Sequence, residues 1–251
     1  MTNLDEAHQS SGDAGDGSSG RSRGRTSRSG RPRRQLPLWQ ETILLLALAL
    51  VLAVVIKSLF VQAFYIPSPS MEPQFVKNDR ILVQKVSYWG SASPSRGDIV
   101  VFDDPGRWLS SADSNPPVSP VTKVLEKVGL YPTGGHLVKR VIGVGGDRVV
   151  CCDKQNRLTV NGRALNEKGY LPKGVDPSTI TFDVRVPKNH LWMMGDNRVE
   201  SYDSRGHMGD PGGGFVDQDL VVGKVFALIW PLGRAELIHR PATFDDVPAA
   251  K

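Results

Sequence analysis

Residues 137–151 read Leu-Val-Lys-Arg-Val-Ile-Gly-Val-Gly-Gly-Asp-Arg-Val-Val-Cys. Both ends of this segment are rich in β-branched side chains, which favour strands. The Gly-Gly-Asp sequence between them is a turn signal. The segment therefore predicts two strands, over residues 137–144 and 148–151, joined by a tight turn.

Short apolar runs separated by turn residues recur along much of the chain. Further strands are predicted over residues 81–86, 98–102, 158–160 and 221–230, and Asn161-Gly162 is a strong hairpin signal. Long helical patterns are absent from this part of the sequence. The predicted fold class is therefore mostly β, with an antiparallel β domain.

An unbroken apolar run of fourteen residues, 43–56, precedes this domain. Alone it would span about 21 Å as a helix, which is less than a bilayer core of about 30 Å. Trp39 suits a membrane interface, Lys57 can extend its amine toward the headgroups, and more apolar residues follow. We therefore expect one transmembrane helix over residues 38–61.

Seven arginines lie between Arg21 and Arg34, just before this helix. Positive charge beside an anchor stays in the cytoplasm. The chain is then expected to be a single-pass plasma-membrane protein, with its N-terminus in the cytoplasm and its main domain outside. Two alternatives remain open: a cleaved signal peptide, with small residues for cleavage at residues 61–63, and a buried core helix.

Composition divides the chain further. Residues 1–37 are rich in Ser, Gly and Arg and predict a disordered basic tail. The arginine tract carries +7 and residues 1–20 carry −4, against a net charge of +5 for the whole chain, so the rest is nearly neutral and no nucleic-acid partner is expected. A domain over residues 62–240 follows, with an insertion at about 103–136, and residues 241–251 are expected to form a loose tail.

The insertion is rich in Pro, Ser and Asp. It contains Val121, Val124, Leu125 and Val128, whose spacing predicts a short amphipathic helix. Three interpretations remain open for it: contact with the bilayer, a cap on the domain, or a surface loop.

The two cysteines of the chain, Cys151 and Cys152, are adjacent. Their spacing is poor for a zinc site on its own. The favoured interpretation is a pair of thiols in a strand, one pointing inward and one outward. A strained vicinal disulfide is the alternative.

A serine follows the anchor closely, in Ile66-Pro67-Ser68-Pro69-Ser70-Met71-Glu72-Pro73. Serine is a weak nucleophile without a base, and no histidine of the domain lies in a recognisable triad context. A neutral lysine can act as the base when burial lowers its pKa. Lys139, within an apolar strand, is the best candidate; alternatively, Lys139 and Arg140 are solvated edge residues.

Four segments, in order and at sensible spacing, carry a resemblance to a known family. They are residues 67–73, Pro-Ser-Pro-Ser-Met-Glu-Pro; residues 96–102, Arg-Gly-Asp-Ile-Val-Val-Phe; residues 139–147, Lys-Arg-Val-Ile-Gly-Val-Gly-Gly-Asp; and residues 195–205, Gly-Asp-Asn-Arg-Val-Glu-Ser-Tyr-Asp-Ser-Arg. The last segment is highly specific. The chain resembles the bacterial type I signal peptidases (leader peptidases), which are serine proteases with a Ser/Lys dyad.

By matching position, the resemblance implies four roles in catalysis. Ser70 is the acylating nucleophile, and Lys139 is the general base. Ser68 adds a hydroxyl to the oxyanion hole beside the Ser70 backbone N–H. Ser201 hydrogen-bonds the Lys139 amine and orients it, and this neutral partner does not raise the pKa of the lysine as a carboxylate would.

The resemblance also implies structural roles around the site. Asp203 and Arg205 look like an ion pair that supports the loop, and Asp196 and Asn197 look like turn-formers with Gly195. The alternative for this segment is a hydrogen-bonded turn without catalytic effect.

The function implied is that of a membrane-anchored serine endopeptidase that removes N-terminal signal peptides from exported preproteins. Its partners are then preprotein signal peptides and the lipid bilayer, with no metal or cofactor, and a monomer is expected in the membrane. Ile66, Pro67, Met71 and Val138 are candidates for lining shallow pockets for small substrate side chains. An extended substrate is expected to add as a strand beside residues 64–67 and 137–139.

Two other functions are considered. A soluble Ser/Lys autoprotease shares the dyad chemistry, but it lacks an anchor and carries a DNA-binding module. A membrane-tethered β-domain would instead bind envelope partners without catalysis, with Ser70 only as a turn residue. Labelling of Ser70 by a serine-reactive probe distinguishes the enzyme from the binding domain.

Overall fold

The computed structural model describes residues 37–90, 92–106, 108–109 and 135–250. Residues 1–36 of the predicted N-terminal tail lie outside these ranges. The short helix predicted for the insertion also lies outside them. The chain packs as two units, Met1–Leu44 and Leu45–Lys251.

One long helix, α1, spans Leu38–Phe60. Apolar side chains such as Leu44, Leu48 and Leu52 are exposed along it, which is typical of a helix that faces lipid. Its 23 residues span about 35 Å, and its segment Leu38–Val55 is long and apolar enough to cross a membrane. The helix ends within one residue of the predicted span, and its exposure excludes the core-helix alternative.

Among the described residues, eight strands form the larger sheet, in which neighbouring strands are antiparallel. Their spatial order is β1 (Val61–Tyr65), β2 (Arg80–Gln84), β11 (Val221–Trp230), β3 (Ile99–Asp103), β4 (His136–Val144), β9 (His190–Met194) and β10 (Val216–Asp217), and β12 (Glu236–Leu237) pairs with β11. The strand that carries Lys139 is therefore central, since β3 and β9 flank it.

Four strands form a second, smaller antiparallel sheet. Its members are β7 (Arg163–Ala164), β6 (Thr159–Val160), β5 (Arg148–Cys151) and β8 (Phe182–Arg185), in this spatial order. The predicted hairpin turn joins β6 to β7, with positive φ at Asn161 (52°) and Gly162 (81°), as this turn type requires. The predicted mostly antiparallel β fold is confirmed, and each of the six predicted strands has a counterpart.

Among the described residues, the buried apolar side chains form three clusters. One cluster fills the space toward the small sheet and includes Ile142, Phe182 and Trp192. A second contains Phe64, Ile66, Met71 and Phe75, so the segment around Ser70 is fixed by its own buried neighbours. Loss of a large buried side chain of this kind typically costs about 3–5 kcal/mol of stability.

Two local expectations differ from the structure. Cys151 and Cys152 form a disulfide, where free thiols are the favoured prediction. The last residues are not a loose tail, because Phe244 and Val247 are buried in the core cluster beside the small sheet. Two apolar side chains in a short polar segment are enough to bind it to the domain.

Candidate active site

Ser70 lies in a short 3₁₀ turn, Pro69–Met71, between β1 and β2. Proline begins this turn because its fixed φ suits the first helical position. Ser70 is only 5% exposed, and its Oγ lies 3.2 Å from Ser68 Oγ. Beneath it, Met71 is buried in the core, and Phe75 N–H donates to the Met71 carbonyl. The nucleophile candidate is therefore held on a rigid turn.

Lys139 reaches this turn from β4, where it pairs with Val100 of β3. Its Nζ lies 2.6 Å from Ser70 Oγ, and the contact is buried. Burial lowers the pKa of Lys139 to about 8; Asp203 and Asp196 have smaller effects that raise it, and Arg205 has a smaller effect that lowers it. The interpretation that Lys139 and Arg140 are solvated edge residues is wrong, since both are buried.

The turn that follows β9 holds the backbone around Ser70. Asn197 N–H donates to the Ser70 carbonyl at 3.1 Å, and Asn197 Nδ2 donates to the Pro69 carbonyl at 3.3 Å. The Pro69 carbonyl and the Ser70 N–H belong to one planar peptide and point in opposite directions. By fixing this carbonyl, Asn197 also sets the direction of the Ser70 N–H.

Gly195 has a close packing role in the same turn. A Cβ at this position would overlap both Ser201 Oγ and the Ser70 carbonyl oxygen. Ser70 and Ser201 therefore approach Gly195 from two sides, and no larger residue fits between them.

Ser201 differs from the contact that the family resemblance implies. Its hydroxyl donates to Asp203 Oδ2 at 2.7 Å, and a hydrogen bond to Lys139 is not among those that the described residues form. A hydroxyl that donates to a carboxylate keeps its lone pairs free to accept. Ser201 thus joins the network through Asp203.

Asp203 and Arg205 form the bidentate ion pair that the resemblance implies, with both hydrogen bonds at 2.8 Å. Burial raises the pKa of Asp203, but Arg205 outweighs this effect and holds the pKa below its ordinary value. The Asp203 carboxylate also accepts from Gly195 N–H at 2.9 Å. The pair therefore fixes both ends of the loop.

A second buried ion pair lies beside Lys139. Arg140 donates to Asp196 at 2.8 and 2.6 Å and to the Gly97 carbonyl at 3.0 Å. Asp196 is thus an ion-pair partner as well as a turn residue. From the sequence, Asp196 is assigned only to a turn; the available signal is that Arg140 and Asp196, in two of the matching segments, carry charges of opposite sign.

The remaining segment of the resemblance, residues 96–102, supports β4 from its other side. Arg96 makes a bidentate contact with Asp147, at 2.6 and 2.5 Å. Gly97 N–H donates to the Val141 carbonyl, and Val141 N–H donates to the Asp98 carbonyl. These contacts fix β4, and with it Lys139, from outside the site.

The four candidate substrate-binding residues lie near Ser70 in sequence or in the sheet. Ile66 and Met71 are buried, Val138 is half-buried and Pro67 is exposed. Ile66, Met71 and Val138 belong to one apolar cluster.

Comparisons with known proteins cover most of the chain. Residues 39–230 match the family model described as signal peptidase, peptidase S26. A signal peptidase I of Mycobacterium tuberculosis is 38% identical over 81% of this chain and 76% of its own. A probable signal peptidase I of Mycobacterium leprae is 36% identical over 81% and 80%.

Two further matches are less similar in sequence. A probable signal peptidase I-2 of Synechocystis sp. is 34% identical over 83% of this chain and 81% of its own. A crystal structure of a signal peptidase I from Enterococcus faecalis V583 is 25% identical, covers 54% of this chain and 98% of its own, and has a TM-score of 0.34. From its family model and its curated relatives, the chain belongs to the signal peptidase family, peptidase S26.

Proposed function

We propose that this chain is a membrane-anchored serine endopeptidase that cleaves N-terminal signal peptides from exported preproteins. The observation that carries the proposal is the buried contact of 2.6 Å between Lys139 Nζ and Ser70 Oγ. The signal peptidases to which the chain is related support the substrate class.

The first chemical step is acylation. The neutral Lys139 amine takes the proton of the Ser70 hydroxyl while Ser70 Oγ attacks the scissile carbonyl. The lysine then gives its proton to the departing amine, and the acyl-enzyme remains on Ser70. In the second step Lys139 removes a proton from water while the water oxygen attacks the acyl carbonyl. The ester bond to Ser70 Oγ then breaks, Lys139 returns the proton to Ser70 Oγ, and the signal peptide leaves with a free carboxyl group.

The negative charge that develops on the carbonyl oxygen has two donors in this proposal. They are the Ser70 backbone N–H and the Ser68 hydroxyl, which lies 3.2 Å from Ser70 Oγ. One oxyanion donor lowers the activation barrier by roughly 3 kcal/mol. The Asn197 contact with the Pro69 carbonyl supports the role of the Ser70 N–H, because it orients that peptide.

The roles of Ser201, Asp203 and Arg205 are supporting ones. Ser201 is held by Asp203, and its free lone pairs can accept from the protonated amine of Lys139 during the reaction. The Asp203–Arg205 pair is 0% and 3% exposed, so the loop keeps its position when the substrate binds. An apolar replacement of either partner would leave an uncompensated buried charge.

The substrate is proposed to bind as an added strand. Among the described strands, β1 pairs only with β2, and residues 136–139 of β4 have a strand neighbour only on the β3 side. The rings of Phe64 and His136 lie 5.2 Å apart, so β1 and the start of β4 approach each other at these two residues. An extended peptide between them would pair with both and place its small side chains over Ile66, Met71 and Val138.

The bilayer and the orientation belong to the same proposal. α1 would cross the plasma membrane, with the arginine tract in the cytoplasm and the catalytic domain outside. β1 begins at the residue after α1, so Ser70 lies only ten residues from the end of the helix. A monomer is sufficient for this arrangement, since Ser70 and Lys139 come from one chain.

The test is cleavage of a signal-bearing preprotein by the purified full-length protein in detergent. Ser70→Ala and Lys139→Ala should each lower the rate by at least about 1,000-fold while the far-UV circular dichroism stays unchanged. Ser93→Ala and Lys188→Ala, both at exposed positions, should keep wild-type rates. Cleavage that persists in folded Ser70→Ala protein would refute the proposal and favour a binding domain without catalysis.

A further inference from the structure

A pair of buried polar residues lies outside all four matching segments. Glu167 and Tyr170 follow β7, in the part of the chain built on the small sheet, and they are 6% and 3% exposed. Buried polar side chains in a loop require partners. Their partners here belong to the segments that form the Ser70 site.

Glu167 is the counter-ion of Arg198, which lies in the turn that holds Ser70. Arg198 Nη2 donates to Glu167 Oε1 at 2.7 Å, and Arg198 Nε donates to the Gly195 carbonyl at 2.9 Å. Arg198 is 0% exposed at its side chain, so its charge depends on this carboxylate for compensation. Glu167 thereby acts on Gly195 through the guanidinium.

Tyr170 joins Glu167 to the neighbour of Lys139. Its hydroxyl donates to Glu167 Oε1 at 2.7 Å, and the Arg140 guanidinium lies 4.4 Å from its ring centroid. Burial and the Glu167 carboxylate raise the pKa of Tyr170 well above its ordinary value, so the phenol remains a donor. A cation over an aromatic face is attracted to it.

We propose that Glu167 and Tyr170 are positioning residues for the reaction at Ser70. Glu167 holds Arg198 against Gly195, and Tyr170 holds both Glu167 and the Arg140 guanidinium that pairs with Asp196. Both ends of the Gly195–Asp196 peptide are therefore fixed from the small-sheet side. This inference rests on the proposed function, because it assigns a purpose to the turn that supports Ser70.

The charges around the site are consistent with this role. Among the described residues, three buried guanidiniums each pair with one carboxylate: Arg140 with Asp196, Arg198 with Glu167, and Arg205 with Asp203. The cluster is then neutral when Lys139 is uncharged. Loss of the Glu167 charge leaves a net positive cluster, which disfavours protonation of Lys139 further.

The experiment compares Glu167→Gln and Tyr170→Phe with wild type in full-length protein, using cleavage of a signal-bearing preprotein. Glu167→Gln keeps the shape of the side chain and removes its charge, and we expect kcat to fall about tenfold with KM within about twofold. The reason is that oxyanion contacts act in the transition state rather than on bound substrate. Tyr170→Phe, which removes one hydrogen bond, should lower kcat about threefold.

The pH dependence separates positioning from a loss of structure. In Glu167→Gln the acid limb of kcat/KM should stay at, or move below, its wild-type position, because Asp203, Asp196 and Arg205 still surround Lys139 and one negative charge is gone. Local opening would hydrate Lys139 and move the limb upward, toward an ordinary lysine. Asp183→Asn is the matched control, since it removes an exposed carboxylate–arginine pair on the small sheet, and it should leave kcat unchanged.

Two results would overturn the inference. One is a kcat within about twofold of wild type in both folded variants. The other is a loss of kcat accompanied by an upward shift of the acid limb and a lower melting temperature. If Glu167→Gln fails to fold, the kcat of Tyr170→Phe alone decides whether the inference holds. Activity in Ser70→Ala would instead refute the proposed function, whatever the Glu167 variants do.

Discussion

The proposed reaction depends on a lysine that is shielded from water. Lys139 is 4% exposed, and burial lowers its pKa from 10.5 to about 8. Its neighbours Asp203 and Asp196, each paired with an arginine, attract the ammonium, but burial is the largest effect on the pKa. The amine is therefore available as a base near neutral pH, at some expense in stability.

The cost in stability of burying Lys139 predicts the effect of Lys139→Met. The variant should be inactive, yet more stable than wild type at pH 7 by roughly 1–3 kcal/mol, because a methionine side chain fills the site without a charge. Unfolding by guanidinium chloride, followed by circular dichroism, measures the difference.

The sign of the pH effect provides the control for this variant. Between pH 8 and 10.5 the unfolded chain binds more protons at Lys139 than the folded chain, so wild-type stability rises across this window. The advantage of Lys139→Met should then shrink as the pH increases from 8 to 10.5. Lys188→Met, at an exposed position, should show no advantage. A Lys139→Met variant that is less stable than wild type at pH 7 would contradict the account.

The roles of individual residues could be predicted where they follow from a matching position in the family resemblance. Ser70 and Lys139 follow from the resemblance, and the structure places them in contact. The Ser201 contact differs, since the carboxylate of Asp203 attracts its hydroxyl. Glu167 could not be predicted, because its partner Arg198 is 31 residues away and no local pattern links the two.

At the scale of elements, two turns and one strand form the site. The turn Pro69–Met71, the strand β4 and the turn after β9 converge on Ser70. Each is held by its own buried contacts, so the site is formed before the substrate arrives. Preorganisation of this kind is a large part of catalytic power.

Two of these elements approach each other closely at Gly195. We predict that Gly195→Ala lowers kcat by about 100-fold, because its methyl group would push apart Ser201 and the Ser70 carbonyl. Steady-state kinetics on a preprotein substrate measures the loss.

A matched glycine serves as the control for this prediction. Gly233→Ala adds a methyl group at a position with no atom within 4 Å, and it should retain full activity. An active Gly195→Ala protein would show that the turn can move away without consequence for Ser70.

Strands with a clear β-branched pattern could be predicted, while others could not. β1 (Val61–Tyr65) directly follows the apolar helix, and periodicity does not separate the end of such a helix from a strand. β9 (His190–Met194) reads His-Leu-Trp-Met-Met, which favours neither class. Its strand state comes from pairing with β4, a long-range contact that local sequence does not contain.

At the scale of the whole molecule, the anchor helix α1 continues directly into β1, a strand of the larger sheet. Ala63 lies within β1 and pairs with Leu82 of β2. Cleavage after Ala63, as in the signal-peptide alternative, would remove the first half of an edge strand of the larger sheet. The paired strand favours a retained anchor.

The retained anchor is tested by the mass of the protein isolated from membranes. We expect the full chain of 27.4 kDa, with α1 present. Protease added to intact spheroplasts should remove a C-terminal tag and spare an N-terminal tag, because the arginine tract stays in the cytoplasm. A chain that begins near residue 64, or a protected C-terminal tag, would contradict the proposed topology.

The central claim is that an uncharged Lys139 activates Ser70, and the pH dependence of kcat/KM for preprotein cleavage tests it most directly. Below its pKa the amine holds a proton and cannot accept that of Ser70. The rate should therefore rise about tenfold per pH unit at low pH and level off near the lysine pKa of about 8. A profile that is flat from about pH 5 to pH 9 would contradict the account.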